Sequence, residues 1–534
     1  MIRYLVPEAK PKVFVRDATG LVREISTLSA FIANLSFINI ALGILTYTTA
    51  SYVFPGSDPV LATVIATVFS ICVSLMYTLF TWAMPRSGGD YIMVSRVLNP
   101  LVGFIANFNV TFWYVFFIGI AANWVTTFSL APAILTVGNL TGNQSLISLA
   151  STISQPQNIV AIGVVVIIFN VFIMLRGVRA TFTVNNIMFL FSIIGVAIII
   201  WLLATNTNAD FIKAFSSYGS YNDVLNTAHA SGYSPQGPNP SLATLGVMPF
   251  IFASTGYGII TSYFAGEVKS VKKNAFVSQV LATLVGGAVL AIIGALAINT
   301  FGYDFLGSIT LLGSTGAKQY PFSVPPYLDL FVSILTNNPA ILWLLAATFV
   351  AAIIISFPPT YMIATRNIFA WSFDRVIPSK FSSINERTHT PVYAIGAVAI
   401  LQFVGLIAYT YGPSTFLSLT SGAGLAEIIT FMIVAIAAII FPFKRKDLYE
   451  NTPARINLGP VPLISIVGTI SLGFYILLEY FYLTNANYGA NILPVYEATA
   501  VSLLLPAVIF VASYFYNKGR GLDLSLAFKE LPPE

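Results

Sequence analysis

Long apolar stretches dominate the sequence, and they decide what the chain can fold into. About twelve of them approach or exceed the roughly 20 residues that an α-helix needs to cross the hydrocarbon core of a bilayer. They run over residues 28–53, 60–84, 100–133, 157–176, 183–204, 243–266, 275–299, 339–370, 391–411, 415–442, 461–482 and 491–516. Only 8% of the residues are charged, against roughly 25% in soluble domains. The sequence therefore predicts an all-α integral membrane protein with about twelve transmembrane helices.

The distribution of positive charge predicts how the chain sits in the membrane. Lys and Arg residues fall in short clusters within alternate connections between the apolar stretches. If the amino terminus is cytoplasmic, all but Lys213 and Lys318 of the 25 Lys and Arg residues lie on the cytoplasmic side. Such an excess is typical of cytoplasmic loops, and it fits orientation in a lipid bilayer better than a nucleic-acid-binding face. We expect a multi-pass protein of the cell membrane with both termini in the cytoplasm.

Two of the apolar stretches contain small and polar residues that interrupt a plain helix. The first reads Asn39-Ile40-Ala41-Leu42-Gly43, and the sixth reads Ser254-Thr255-Gly256-Tyr257-Gly258. Unwound backbone at membrane depth persists only where it is buried in protein or lines a cavity. There it presents amides to an anion and carbonyls to a cation, and a zwitterionic amino acid needs both. Either break alone also fits close helix packing, but two of them, five spans apart, favour an inverted repeat around a central site.

Several motifs resemble those of a known family. The stretch Met84–Phe104, MPRSGGDYIMVSRVLNPLVGF, is similar to the "PRSGGxYxYxSRxxxPxxGF" pattern of the amino acid–polyamine–organocation (APC) superfamily of permeases. Residues 263–269 resemble its "aGEvKnP" motif, and residues 366–378 resemble "aRxxyamardgxlP". The resemblance implies a LeuT-like fold with a five-plus-five inverted repeat, two extra carboxyl-terminal helices, and a substrate site between spans one and six.

The implied organisation divides the chain into five parts. They are a cytoplasmic segment 1–27, a first repeat 28–204, an extracellular loop 205–242, a second repeat 243–442, and the last two spans with a cytoplasmic tail, 443–534. The outer connections 134–156, 205–242 and 300–338 are rich in Ser, Thr, Asn, Gly and Pro. We expect them to be loops that pack over the outer mouth.

The resemblance also assigns roles to residues around the two breaks. Backbone amides would take the substrate carboxylate, and backbone carbonyls would take its ammonium group. The amides are those of Ala41, Leu42 and Gly43, and the carbonyls lie near Ile40, Phe252 and Thr255. Phe252 would be an aromatic lid on the outer side, Gly256 the hinge, and Thr360 a side chain that faces the substrate.

The coupling ion stays open at the level of sequence. Proton-coupled relatives have a Lys where Ser192 aligns, so that cation is absent here. Ser192 and Ser356 instead offer oxygen ligands that suit a sodium ion. Glu427 is the acidic residue that lies deepest in a span, which makes it a candidate proton carrier or a protonated structural residue. Sodium coupling, proton coupling and exchange remain alternatives, and no cofactor or other metal site is expected.

These features predict a secondary active transporter of neutral amino acids that works by alternating access. The alternatives are an amino acid sensor of the same fold without net transport and a permease for polyamines or other organic cations. The chain lacks a phosphate-binding GxxxxGK[ST] motif and has only two histidines, both in connections. It therefore resembles neither an ATP-driven pump nor a membrane enzyme. The oligomeric state does not follow from the sequence.

Overall fold

The structure is a computed structural model that describes residues 20–322 and 325–532 and consists almost entirely of helices. Within those residues, ten helices are long and apolar enough to cross a membrane. They are Pro59–Ala83, Pro100–Thr141, Pro156–Leu175, Val178–Thr205, Val271–Phe301, Pro339–Phe373, Val392–Tyr411, Gly422–Lys444, Leu463–Thr484 and Leu493–Gly519. The predicted all-α integral membrane class is confirmed. Most of the predicted segment 1–27 lies outside the described residues.

The two other predicted spans are interrupted, as their sequences indicate. The first consists of helices Thr27–Ile38, Ile40–Gly43 and Thr46–Val53. The sixth consists of helix Pro240–Thr255 and the 3₁₀ turns Ile260–Tyr263 and Ala265–Glu267. We number the twelve segments as spans one to twelve in chain order, so that these are spans one and six.

Three further spans depart from a regular α-helix. Span eight divides into Pro339–Ile354 and Phe357–Phe373, with Pro358 and Pro359 in the first turn of its second part. Proline is tolerated there because the amides of a first turn have no helical partner to lose. Spans three and seven each contain a π-helical segment, Val125–Leu130 and Phe276–Leu281. Span ten is continuous and begins before its most apolar part, at Pro413.

The connections between the spans gather on two faces. On one of them, which we call the basic face, lie connections 84–99, 268–270, 374–391 and 445–462. Two β-bridges join this face, Ile25 to Val268 and Ser87 to Phe264. The short elements of this face are helices Asp90–Val97, Ser379–Ser382, Lys446–Tyr449 and Leu524–Ala527, with the antiparallel strands Asn457–Leu458 and Val461–Pro462.

The opposite face is more helical than the sequence predicts. Its helices are Gln144–Ile153, Asn208–Phe215, Tyr221–Ala230, Tyr303–Thr315, Leu328–Ile334 and Ala486–Tyr488. Phe211 is fully buried, with its ring 4.7 Å from that of Phe301 and 5.2 Å from that of Phe305. Aromatic burial of this kind gives short polar helices an apolar side to pack on the spans. The connections 205–242 and 300–338 therefore contain short helices, which the sequence did not indicate, and they pack on the bundle.

Two buried ion pairs join the end of span eight to the end of span six and to the connection between spans two and three. Glu267, at the end of span six, accepts two hydrogen bonds from Arg366 of span eight, both of 2.7 Å, and both side chains are fully buried. Arg96 donates to Asp374 at 2.7 Å, again with both side chains buried. Buried charges are tolerated only when they are paired in this way. The basic face is therefore closed around the inner end of span six.

Candidate substrate site

The break in span one depends on the backbone conformation of Asn39. Its φ is 49° and its ψ is 77°, which is the left-handed region that asparagine tolerates better than most residues. The side-chain amide of Asn39 donates to the carbonyl of Ala352 in span eight at 3.0 Å. The chain thus leaves the helix at one residue, and that residue anchors the break to a neighbouring span.

The residues predicted to bind the substrate carboxylate form the turn that follows Asn39. The amide of Gly43 donates to the carbonyl of Asn39 at 3.0 Å, so it is hydrogen-bonded within the chain in this conformation. Ile40, Ala41 and Leu42 precede it in the first turn, where amides have no earlier turn of the same helix to bond. Ala41 packs against Phe349 and Ala352 of span eight.

The break in span six lies at Gly256. Its amide donates to the carbonyl of Phe252 at 2.9 Å, and a Cβ atom at Gly256 would lie 2.2 Å from the Phe252 ring. Only glycine fits beneath that ring. Phe252 itself is 3% exposed and packs edge-on against Phe474 and Tyr475 of span eleven. The predicted lid residue is therefore buried in this conformation, and its carbonyl already accepts a hydrogen bond.

Two threonines that the sequence places near the site direct their hydroxyls into the protein. The Thr255 hydroxyl donates to the carbonyl of Ile251 and lies 3.0 Å from the Ser70 hydroxyl of span two. The Thr360 hydroxyl donates to the carbonyl of Ser356 at 2.8 Å. Both residues are buried. Their hydroxyls stabilise the ends of the broken helices in this conformation.

Glu427 lies beside the break in span six. Its Oε2 atom accepts a hydrogen bond of 2.6 Å from the hydroxyl of Tyr257, and the residue is 3% exposed. The half-buried Tyr257 ring lies 5.4 Å from the ring of Phe37, at the end of the first helix of span one. The acidic side chain that lies deepest in a span therefore contacts the break in span six through Tyr257, whose ring packs on the helix that precedes the break in span one. Tyr257 was not predicted to have a role, because its partner is 170 residues away and leaves no local signal.

Ser192 lies where the sequence predicts a cation site, at the junction of spans one, five and eight. It lines a small cavity together with Ser36, Asn39 and Ile355. It also lines a second cavity of about 40 Å³ that extends towards the opposite face and contains Asp329 in its wall. The predicted partner Ser356 follows Ile355, and its hydroxyl donates to the carbonyl of Ile353 at 2.9 Å. The structure thus brings Ser192 to the break in span one, whereas the Ser356 hydroxyl bonds its own span.

Among the described residues, no group of three or more His, Cys, Asp or Glu side chains is close enough to hold a metal ion.

Comparison with known proteins supplies the family. Residues 25–510 match the sequence model of the family described as amino acid permease. The chain is also similar to the "Uncharacterized protein 399" of Sulfolobus islandicus rod-shaped virus 1. The two are 23% identical over 386 residues, which is 72% of this chain and 73% of the viral protein.

Proposed function

Because the chain belongs to the amino acid permease family, we propose that it is a secondary active transporter that couples the movement of neutral amino acids to protons, with Glu427 as the proton carrier. The observation that supports this proposal is the hydrogen bond from Tyr257 to Glu427 at the break in span six. Transport is by alternating access across the cell membrane, with the basic face in the cytoplasm.

The burial of Glu427 is the physical reason to assign it the proton. An isolated carboxylate in an apolar interior is costly, and protonation removes that cost. Tyr257 follows Gly256 directly, so a change in the Glu427–Tyr257 hydrogen bond acts on the backbone of the break. Proton binding and the shape of the substrate site are thereby linked through one contact.

The charges around the two breaks support a neutral substrate. Within residues 34–53 and 251–264 there are no Asp, Glu, Lys or Arg side chains. The turn after Asn39 offers first-turn amides for a carboxylate, and the break at Gly256 offers carbonyls for an ammonium group. A polyamine would need acidic partners for each of its ammonium groups, and Glu427 alone supplies one.

The proposal is tested with purified protein in liposomes. A counterflow screen over the neutral L-amino acids and putrescine identifies the substrate, and labelled substrate is then followed with and without a pH gradient. We expect Glu427→Gln to retain counterflow and to lose pH-driven accumulation, which for one proton per substrate is about tenfold across a gradient of one pH unit. Glu479→Gln is the matched control, because Glu479 is a half-buried carboxyl in span eleven whose Oε2 atom makes no hydrogen bond within the described residues.

Three results would contradict the proposal in different ways. If Glu427→Gln accumulates the substrate in a pH gradient as the wild type does, Glu427 is not the proton carrier. Binding of an amino acid, seen as thermal stabilisation, without counterflow of any labelled amino acid would favour a sensor. Counterflow of putrescine alone would favour an organic cation permease.

The cavity at Ser192 supports a second candidate, which is sodium coupling. Ser192, Ser36 and the Asn39 side chain bring oxygen atoms to one small space, and sodium takes oxygen ligands. The test is accumulation of substrate driven by a sodium gradient at equal pH. Loss of that accumulation in Ser192→Ala but not in Glu427→Gln would favour sodium coupling over proton coupling.

A further inference from the structure

A second buried carboxyl group, that of Asp90, lies in a connection of the basic face, and the family motif does not assign it. Asp90 occupies the variable position of the "PRSGGxY" pattern. It begins the short helix Asp90–Val97 between spans two and three and is fully buried. Its Oδ2 atom accepts a hydrogen bond of 2.5 Å from the hydroxyl of Tyr263 in span six.

Tyr114 of span three connects the two carboxyl groups. Its ring lies 6.1 Å from the ring of Tyr257, which binds Glu427, and 6.4 Å from the ring of Tyr263, which binds Asp90. The Tyr114 hydroxyl is buried beside that of Tyr263 and makes no hydrogen bond of ordinary length within the part of the chain that the structure describes. Three tyrosines therefore follow one another from Glu427 at the break to Asp90 near the basic face.

Close backbone contacts hold Tyr263 next to Asp90. The amide of Gly88 donates to the carbonyl of Tyr263 at 2.9 Å. Gly89 has a φ of 46°, and a Cβ atom there would lie 2.4 Å from the Tyr263 ring. The two glycines thus let the 84–90 connection lie directly against span six, which brings Asp90 to the Tyr263 hydroxyl.

Asp90 is suited to exchange a proton near neutral pH. Burial raises the pKa of its carboxyl to about 6, and the hydrogen bond from Tyr263 opposes that rise. Within the described part of the chain, the titratable groups closest to the two carboxyls are tyrosines, and Glu479 lies near one of them, Tyr482. The tyrosines are Tyr77, Tyr263 and Tyr475 around Asp90, Tyr257 and Tyr482 around Glu427, and Tyr114 near both. The adjacent cations, Arg96 and Arg366, are paired with Asp374 and Glu267.

We propose that Glu427 releases its proton towards the basic face through Tyr257, Tyr114 and Tyr263 to Asp90. This set of residues is called the tyrosine path, and it rests on the proton role of Glu427 proposed above. A tyrosine hydroxyl both donates and accepts a hydrogen bond. In each step the phenolic oxygen takes one proton and passes its own hydroxyl proton onward. Every tyrosine stays neutral, Glu427 becomes a carboxylate, and Asp90 becomes a carboxylic acid.

The path explains how a proton can leave the site while the basic face is closed. Glu427, Tyr114, Tyr263 and Asp90 are each 3% exposed or less, so bulk water does not reach them. Tyr114 contacts Tyr257 and Tyr263 through its ring and not through a hydrogen bond. The two proton transfers that involve Tyr114 therefore need rotation of its hydroxyl or a bridging water. Asp90 loses the proton to water when the basic face opens.

The test compares proton movement with substrate exchange in the same liposomes. A pH-sensitive dye inside the liposomes reports proton entry during uptake of L-leucine and L-alanine, and counterflow of the labelled amino acids reports exchange. We expect Asp90→Asn and Tyr114→Phe to lower proton entry by about tenfold or more, as for loss of a proton-transfer group, while counterflow is retained. Tyr361→Phe is the matched control, because Tyr361 is another buried tyrosine whose hydroxyl has no hydrogen-bond partner within the described residues.

The outcomes separate the path from the proposed function. If wild-type protein shows proton entry and Tyr114→Phe and Asp90→Asn show the same rate, the path is overturned and the role of Glu427 stays intact. Equal losses of proton entry and counterflow in Tyr114→Phe would show a structural role and would also overturn the path. Uptake by wild-type protein without proton entry overturns both proposals. If Asp90→Asn does not fold, Tyr114→Phe and Tyr263→Phe, which each remove one hydroxyl, decide the question.

Discussion

The breaks in spans one and six both fall in stretches that contain small and polar residues, but different interactions stabilise them. In span one, a single left-handed residue, Asn39, makes the break and binds span eight through its side chain. In span six, Gly256 makes the break because no side chain fits under Phe252, and the neighbouring residues Thr255 and Tyr257 bind spans two and ten. The break in span one therefore depends on a backbone conformation, whereas the break in span six depends on packing.

The largest expected effect comes from Asn39. Alanine lacks the short polar side chain that lets asparagine tolerate the left-handed region. Asn39→Ala therefore costs about 1–2 kcal/mol at this backbone position. It also removes the hydrogen bond to Ala352, which contributes about 1 kcal/mol. We expect the counterflow rate per folded molecule to fall by about a hundredfold.

Asn39→Gly is the control for this prediction. Glycine adopts the left-handed conformation freely, so only the hydrogen bond is lost and the expected fall is about fivefold. Equal losses in the two variants would show that the side-chain contact, and not the backbone conformation, makes the break in span one.

An intermediate effect is expected at Gly256. Gly256→Ala forces the new Cβ against the Phe252 ring, and overpacking of this kind costs about 1–3 kcal/mol. The melting temperature in detergent should fall. Adding Phe252→Leu removes the ring and should restore part of that loss, because contacting residues are energetically coupled. Strictly additive losses in the double variant would show that packing under Phe252 does not set the break in span six.

The smallest effect is expected at Thr255. Thr255→Val keeps the backbone carbonyl and removes the hydroxyl that bonds Ser70, so stability should fall by about 1 kcal/mol. The substrate concentration for half-maximal counterflow should stay unchanged, since the proposed contact uses the carbonyl. Ser70→Ala should give the same loss, and the double variant should lose no more than either single one. A large rise in the half-maximal concentration would place the Thr255 hydroxyl at the substrate.

Sequence reasoning predicts the spans well and the contacts between them poorly. The apolar stretches follow from a local requirement, the length of helix that crosses a bilayer, so their positions can be read from composition alone. The breaks at Asn39 and Gly256 also have local signals, since asparagine tolerates the left-handed conformation and glycine alone fits beneath the Phe252 ring. In span eight the structure places an interruption at Ile355–Ser356, just before the pair Pro358 and Pro359.

The candidate site illustrates what a single sequence leaves out. Tyr257 and Glu427 are 170 residues apart, and nothing near either residue indicates the other. Phe252 was expected to be a lid, and the structure shows its ring covering Gly256 and packing on span eleven, a contact that depends on how distant spans are arranged. The helix Asn208–Phe215 was missed because its apolar residues are few, and it packs on the protein through Phe211, whose ring contacts Phe301 and Phe305.

The buried pair between Glu267 and Arg366 has a consequence for the speed of the transport cycle. Opening the basic face between spans six and eight must separate these groups, and each would cost several kcal/mol if it were left alone in a dry interior. Once water surrounds both groups, the same separation costs little. The pair can therefore part only as the space fills with solvent, so hydration precedes or accompanies opening. The turnover rate then depends on water activity as well as on the substrate and the coupling ion.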